Sequence, residues 1–189
     1  MIKRQSVKEL FSESLIELAG NKSVAKITVK DIVENCNSST ATFYRNFHDK
    51  FELISWIFAH STEEIYTNIL DGELSWNEAM LQIIGIMDER RDFYTNALKA
   101  TSGIDSFLFY ANEKSELTLT EYVAKSTGGS VDDQILFDIH FYLMACTSVA
   151  VEWFIKLKPY TREQLVYYLT CAMPEDLKKY LLIDENMKN

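Results

Sequence analysis

With 189 residues, six glycines, two prolines and three cysteines, the chain has the size of one large domain or of a small domain joined to a larger one, and it can bury a sizeable core. Cys36, Cys146 and Cys171 are odd in number and far apart, which excludes a disulfide framework and a CxxC-type zinc site and fits a reducing cytoplasm. The formal net charge of −9 is uneven: residues 1–50 carry eight lysines and arginines against six carboxylates, or +2, leaving −11 for the rest, an asymmetry that suggests a small anion-facing module on an acidic body.

Apolar residues recur at helical spacing almost throughout, and an all-α protein is expected. A first amphipathic helix is predicted from about Ile2 to Ala19, ended by Gly20-Asn21, with Lys3, Arg4 and Lys8 at its start as further cations within reach of an anionic partner. Thr28 and Asp31 have capping-box spacing, so a short second helix is predicted to about Asn35. Asn37 stands where the chain must reverse, and asparagine tolerates the left-handed conformation. Ser39 is placed to cap a third short helix to about Arg45, and Asp49 with Glu52 to open a long helix to about Leu70. Downstream, Ser75 with Glu78, Thr118 with Glu121, Ser130 with Asp133 and Thr161 with Gln164 repeat the start signal, for four to six further helices. Breaks are expected at Asp71-Gly72, Thr101-Ser102-Gly103, Thr127-Gly128-Gly129 and Lys158-Pro159. No window approaches about 18 uninterrupted apolar residues, so no membrane partner is expected.

Two short helices joined by a tight turn, the second opening with small polar residues, form a helix-turn-helix whose second helix fits the major groove. Ser39, Thr40 and Thr42 are short enough to bring that helix close to bases and phosphates, and Ala41 keeps the approach clear. Tyr44 can reach a phosphate with its hydroxyl, Phe43 and Phe47 anchor the helix, and Lys50 is expected to clamp the DNA backbone. Thr28, Lys30 and Arg45 complete the expected DNA-contacting set. No arginine fronts the recognition helix to read guanine, so readout through hydroxyls, methyl contacts and water is expected, with phosphate contacts supplying most of the affinity.

From Ile27 to Leu53 the sequence resembles the TetR family of one-component bacterial regulators. Thr28 matches the threonine that opens the family's second helix; Thr42, Phe43, Tyr44 and Phe47 match its threonine, apolar, tyrosine and phenylalanine positions; Asp49-Lys50 and Leu53 match the aspartate-lysine pair and the leucine beyond them. The chain departs from the family pattern in having Asn37 for the usual turn glycine, Ser38 for the usual apolar turn residue, and Ala41 for the glycine before the threonine. The resemblance implies a DNA-binding domain over residues 1–48 and a helical effector-binding and dimerisation domain over residues 49–189. A looser likeness, through residues 53–58, Trp76, Met87-Asp88 and Phe93-Tyr94, joins it to regulators of dihydroxyacetone kinase operons.

For the second domain the resemblance implies a ligand pocket and a homodimer interface. Phe58, Met87, Phe107, Tyr110, Tyr122, His140 and Met144 are the expected pocket residues, although aromatics at this spacing also read as ordinary core and His140 also reads as a hydrogen-bonded core histidine. Residues 131–156 carry a polar stripe and two apolar flanks. One flank holds Ile135, Tyr142, Cys146, Val149 and Trp153 and the other Phe137, His140, Met144, Val151 and Ile155, and the sequence leaves open which of them is the dimer face; Ile135, Tyr142, Val149 and Trp153, with Leu165 and Leu169 from the last helices, are the candidate interface residues.

No HExxH, CxxC, GxSxG, P-loop or dinucleotide fingerprint occurs, so neither catalysis, cofactor nor metal is expected. The partners expected are double-stranded DNA, a second copy of the chain, and a small-molecule effector or protein co-regulator. Repression is the family's usual outcome, and activation through a co-regulator is the alternative drawn from the kinase-operon likeness.

Overall fold

The computed structural model describes residues 6–101, 106–156 and 159–182. Among them are ten α-helices and one 3-10 turn: α1 (Val7–Ala19), the turn (Val24–Lys26), α2 (Val29–Asn35), α3 (Thr40–Tyr44), α4 (Lys50–Leu70), α5 (Trp76–Glu89), α6 (Arg91–Ala100), α7 (Phe107–Thr127), α8 (Asp133–Lys156), α9 (Arg162–Cys171) and α10 (Glu175–Leu181). Two compact units divide them, one of residues 1–60 and 90–110, the other of residues 61–89 and 111–189.

Capping residues set most of the boundaries. The Thr28–Asp31 and Thr161–Gln164 boxes both form, and Ser75 exchanges hydrogen bonds with Glu78 ahead of α5. Asp49 Oδ1 accepts from the Phe51 and Glu52 amides, while the Glu52 carboxylate takes the His48 amide. Helix α1 begins later than expected, because Ser6 and Glu9 form a complete capping box there; residues 2–5, including Lys3 and Arg4, lie outside the described residues. Thr118 opens nothing: it is buried inside α7, which starts where Ser106 Oγ accepts the Leu108 amide. At α8 the cap is Asp132, which accepts the Gln134 amide, rather than Ser130, whose carbonyl takes the Thr127 hydroxyl. Arg90 separates α5 from α6 with no side-chain cap, leaving no local signal for that break.

In the first unit the core is aromatic and aliphatic: Phe11, Leu15, Ile32, Phe43, Leu53, Ile54, Phe58, Tyr94 and Phe107 are all within 2% of full burial. Helix α6 packs on α1 and on the 3-10 turn, and Ser14 ties α1 to α2 by donating to the Ile32 carbonyl at 2.7 Å.

The second unit packs α5 on α9 and α8 on α10. Thr170 donates to Asn77 across the first of these pairs, Tyr66 and Ser115 share a buried hydrogen bond, and Trp153 Nε1 donates to the Tyr160 carbonyl at 2.8 Å. Helix α8 has the length and apolar content of a bilayer-spanning helix, yet Ile139, Tyr142, Leu143, Cys146, Trp153 and Phe154 are buried within the unit.

Candidate nucleic-acid interface

The turn between α2 and α3 closes as a Schellman motif. Asn37 lies at φ 52°, in the left-handed region, while the Ser38 amide reaches back to the Val33 carbonyl at 2.8 Å and the Asn37 amide to Glu34 at 3.3 Å. Asparagine serves there because its short polar side chain lowers the steric cost that other non-glycine residues pay. Ser39 then caps α3, accepting the Thr42 amide at 3.1 Å and sharing a 2.9 Å hydroxyl contact with Thr42 Oγ1.

Phe43 anchors this five-residue helix: it is fully buried, with ring centroids 5.2 Å from Phe11 and 5.7 Å from Phe47. Its neighbours face outward. Ser39, Thr40, Ala41, Tyr44 and Arg45 are exposed, Tyr44 at 60%, and Thr42 is half-buried. Asn46 closes the far end by donating to the Thr42 carbonyl. The result is a short ridge of hydroxyls and methyls with a phenol and a guanidinium at its end, a chemistry suited to base edges and phosphates. Thr28 and Lys30 are also exposed; the Lys30 ammonium is 3.7 Å from Glu34.

Lys50 departs from the expected role. Its ammonium donates to the carbonyls of Val24, Ala25 and Ile27 at 2.7, 3.1 and 2.6 Å. An ammonium has three N–H donors, so none is left for a phosphate. Desolvation is the main reason its pKa lies below the ordinary lysine value. Lys50 is an internal tie, and its sequence position beside exposed polar residues gave no sign of that. Lys8, another candidate cation, sits over the rings of Phe47 (5.3 Å) and Trp56 (5.9 Å). Sequence reasoning also missed Asn96 of α6. Its Oδ1 accepts the Val24 amide at 2.9 Å and its Nδ2 donates to the Ala19 and Lys22 carbonyls at 3.1 and 3.0 Å. An asparagine in mid-helix carries no motif by which to find it.

Asp31 supports the start of α2. The hydrogen bond from Lys22 (2.8 Å), then the Thr28 amide and hydroxyl, hold its carboxyl well below the usual carboxylate range.

Within the second unit the candidate dimer-interface residues are placed mostly in the core. Ile135, Tyr142, Trp153, Leu165 and Leu169 are all at most 9% exposed, because these side chains form the unit's own core; of the six, only Val149 is exposed. The open flank of α8 is the other one: Phe137 (61%), Phe141 (59%) and Met144 (50%) face outward, with Phe137 and Phe141 stacked at 6.2 Å, and Tyr167 and Tyr168 of α9 are exposed as well.

The expected pocket residues divide in a similar way. In the first unit Phe58 and Phe107 pack together at 5.4 Å in the core, while Tyr110 is exposed. In the second, Met87 is core and Tyr122 half-buried, His140 is exposed and pairs with Glu116 at 3.0 Å, and Met144 belongs to the open flank. An open groove of about 530 Å³ in the same unit has other walls, among them Glu64, Asn68, Gln82, Gly85, Glu89 and Arg162. Among the described residues no group of three His, Cys, Asp or Glu side chains could hold a metal ion.

Four matches link the chain to known proteins. A TetR-type family profile described as "Transcriptional regulator C-terminal region" matches residues 75–173. The HTH-type dhaKLM operon transcriptional activator DhaS of Lactococcus lactis subsp. lactis (strain IL1403) is 24% identical over 99 residues, 52% of this chain and 52% of that protein, so the match spans about half the length of the curated relative. Among solved structures, the dihydroxyacetone kinase operon activator DhaS aligns with a TM-score of 0.63 at 19% identity, covering 92% of this chain and 97% of that one. The TetR family repressor AlkX from Dietzia sp. strain DQ12-45-1b aligns with a TM-score of 0.58 at 14% identity, covering 94% and 98%. The structural likenesses show a shared all-helical fold.

Proposed function

Because this chain belongs to the TetR family of transcriptional regulators, we propose that it binds a near-palindromic operator as a homodimer and represses transcription until a small-molecule effector releases it. The observation that carries this reading is the exposed ridge of α3, held by the Asn37 turn on one side and the buried Phe43 on the other. Thr28, Lys30, Ser39, Thr40, Ala41, Thr42, Tyr44 and Arg45 form the DNA-contacting set, carried on residues 1–48, and residues 49–189 form the effector-binding and dimerisation domain. Two recognition helices on a twofold axis enter successive major grooves when the half-sites lie about one turn, roughly 34 Å, apart.

The dimer face is the open flank of α8, with Phe137, Phe141 and Met144, joined by Tyr167 and Tyr168 of α9. Aromatic and methionine side chains of this size left in water favour burial against a second copy. An effector releases the operator only as far as its affinities for the DNA-competent and DNA-incompetent conformations differ. The site of action is the cytoplasm.

A second reading is favoured by the likeness to the activator DhaS: the same operator-binding dimer activates transcription under a protein co-regulator. Transcription in vitro from the selected operator separates the two. Repression by the purified chain, relieved by an effector, supports the first; stimulation that depends on an added protein supports the second.

A further inference from the structure

Val24 is fully buried at the head of the 3-10 turn, and both of its peptide groups are held by side chains from distant helices: Asn96 of α6 takes its N–H and Lys50 of α4 binds its carbonyl. Of the local chain, the Ile27 amide shares the Val24 carbonyl, at 3.2 Å. Ser23, at the N-cap, makes no side-chain capping bond, and Asn96 also donates to the carbonyls of Ala19, the last residue of α1, and of Lys22 in the link beyond it. Lys50 closes the circuit at Ile27, the residue before the Thr28 cap that starts the helix-turn-helix.

We propose that Asn96 and Lys50 are positioning residues for DNA recognition, closing on Val24 from two helices and setting the angle at which α2 and α3 are presented to the major groove. This rests on the DNA-binding reading above. Neither side chain touches DNA. Asn96 holds the backbone at Ala19, Lys22 and Val24 and Lys50 at Val24, Ala25 and Ile27, and through Thr28 they set the direction of α2; because α2 and α3 share the Asn37 turn, a tilt at Thr28 displaces the Thr40–Tyr44 ridge from the bases it reads. Base-edge contacts fail with small misalignments, whereas contacts of flexible cations with phosphates survive them.

The test uses the full chain, a selected operator duplex and a scrambled duplex of equal length, with Asn96→Ala, Asn96→Ser and Lys50→Met each measured below its own unfolding temperature; the serine variant replaces alanine if the latter does not fold. The expected result is a fall of about tenfold in operator affinity, the loss typical of one or two hydrogen bonds to buried groups, with scrambled-duplex affinity and the salt slope unchanged. Hydrogen exchange at the Val24 amide should accelerate in the Asn96 variants and stay slow in Lys50→Met, because Asn96 still holds that N–H. A salt slope lowered by about one in Lys50→Met would make Lys50 a phosphate contact and overturn the proposal. Equal losses on both duplexes, or wild-type operator affinity in the Asn96 variants, would overturn it too. If the wild-type chain selects no DNA, the functional reading fails instead, and unaltered Val24 exchange in the Asn96 variants would still overturn the clamp.

Discussion

Thr28 and Asp31 satisfy each other's backbone: the Thr28 amide donates to Asp31 Oδ2 at 2.7 Å and the Asp31 amide to Thr28 Oγ1 at 3.1 Å. Lys22 approaches the same carboxylate oxygen at 2.8 Å. The contacts from Lys22 and Thr28 to the carboxylate favour its ionised form, so its folded pKa lies below its unfolded value of about 4. The stability it contributes is therefore fully present above about pH 4 and is lost as pH falls toward the folded value. Thermal unfolding between about pH 5 and 2 should show the wild type losing stability more steeply than Asp31→Asn; parallel curves would remove Asp31 from the acid response.

Asn37 is the single non-glycine residue with positive φ among the described residues. A Cβ without a compensating polar group costs about 1–2 kcal/mol in that conformation, so Asn37→Ala should destabilise the chain by about 1 kcal/mol and Asn37→Gly should not. Urea unfolding of the two variants checks this, and equal midpoints would contradict it.

At the proposed interface, Tyr44→Phe should weaken binding to operator and scrambled DNA alike, roughly threefold to tenfold, because its hydroxyl is assigned to a phosphate. Lys30→Ala should lower the salt slope by about one. Thr42→Ala should alter preference at one or two base positions while leaving the slope unchanged. Binding titrations at several salt concentrations distinguish the three patterns.

Sedimentation tests the dimer face. Phe137→Glu or Phe141→Glu places a charge on the open flank and should yield a folded monomer with reduced operator affinity. Trp153→Ala should instead destabilise the fold by roughly 3–5 kcal/mol, since that ring is buried in its own unit. A Phe137→Glu variant that stays dimeric would exclude this flank.

Signals contained within four residues were legible in the sequence. Thr28, Asn37, Ser39, Asp49, Ser75 and Thr161 do in the structure what their spacing implied, because a cap or a left-handed turn is decided by adjacent backbone. The same local signal misled at Thr118, whose spacing falls inside a helix already running, and at Ser130, where Asp132 supplies the cap. Features set by distant partners were not legible. Which flank of α8 is buried depends on α10 and the rest of its unit, and the role of Lys50 depends on three carbonyls 23 to 26 residues earlier in the chain.

Cys146 gives a chemical test of the packing of α8. Its thiol is buried in the second unit, and burial pushes its pKa up to about 12. Native protein at pH 8 should leave Cys146 unmodified by a maleimide, while unfolding in urea exposes it; rapid native labelling would contradict that packing.

The most direct test of operator binding by a dimer is selection of bound fragments from genomic DNA by the purified chain at two salt concentrations. The expected result is recovery of a near-palindrome with half-site centres about one helical turn apart and affinity that falls steeply as salt rises. Recovery of no fragment, or of fragments sharing no repeated half-site, would contradict it.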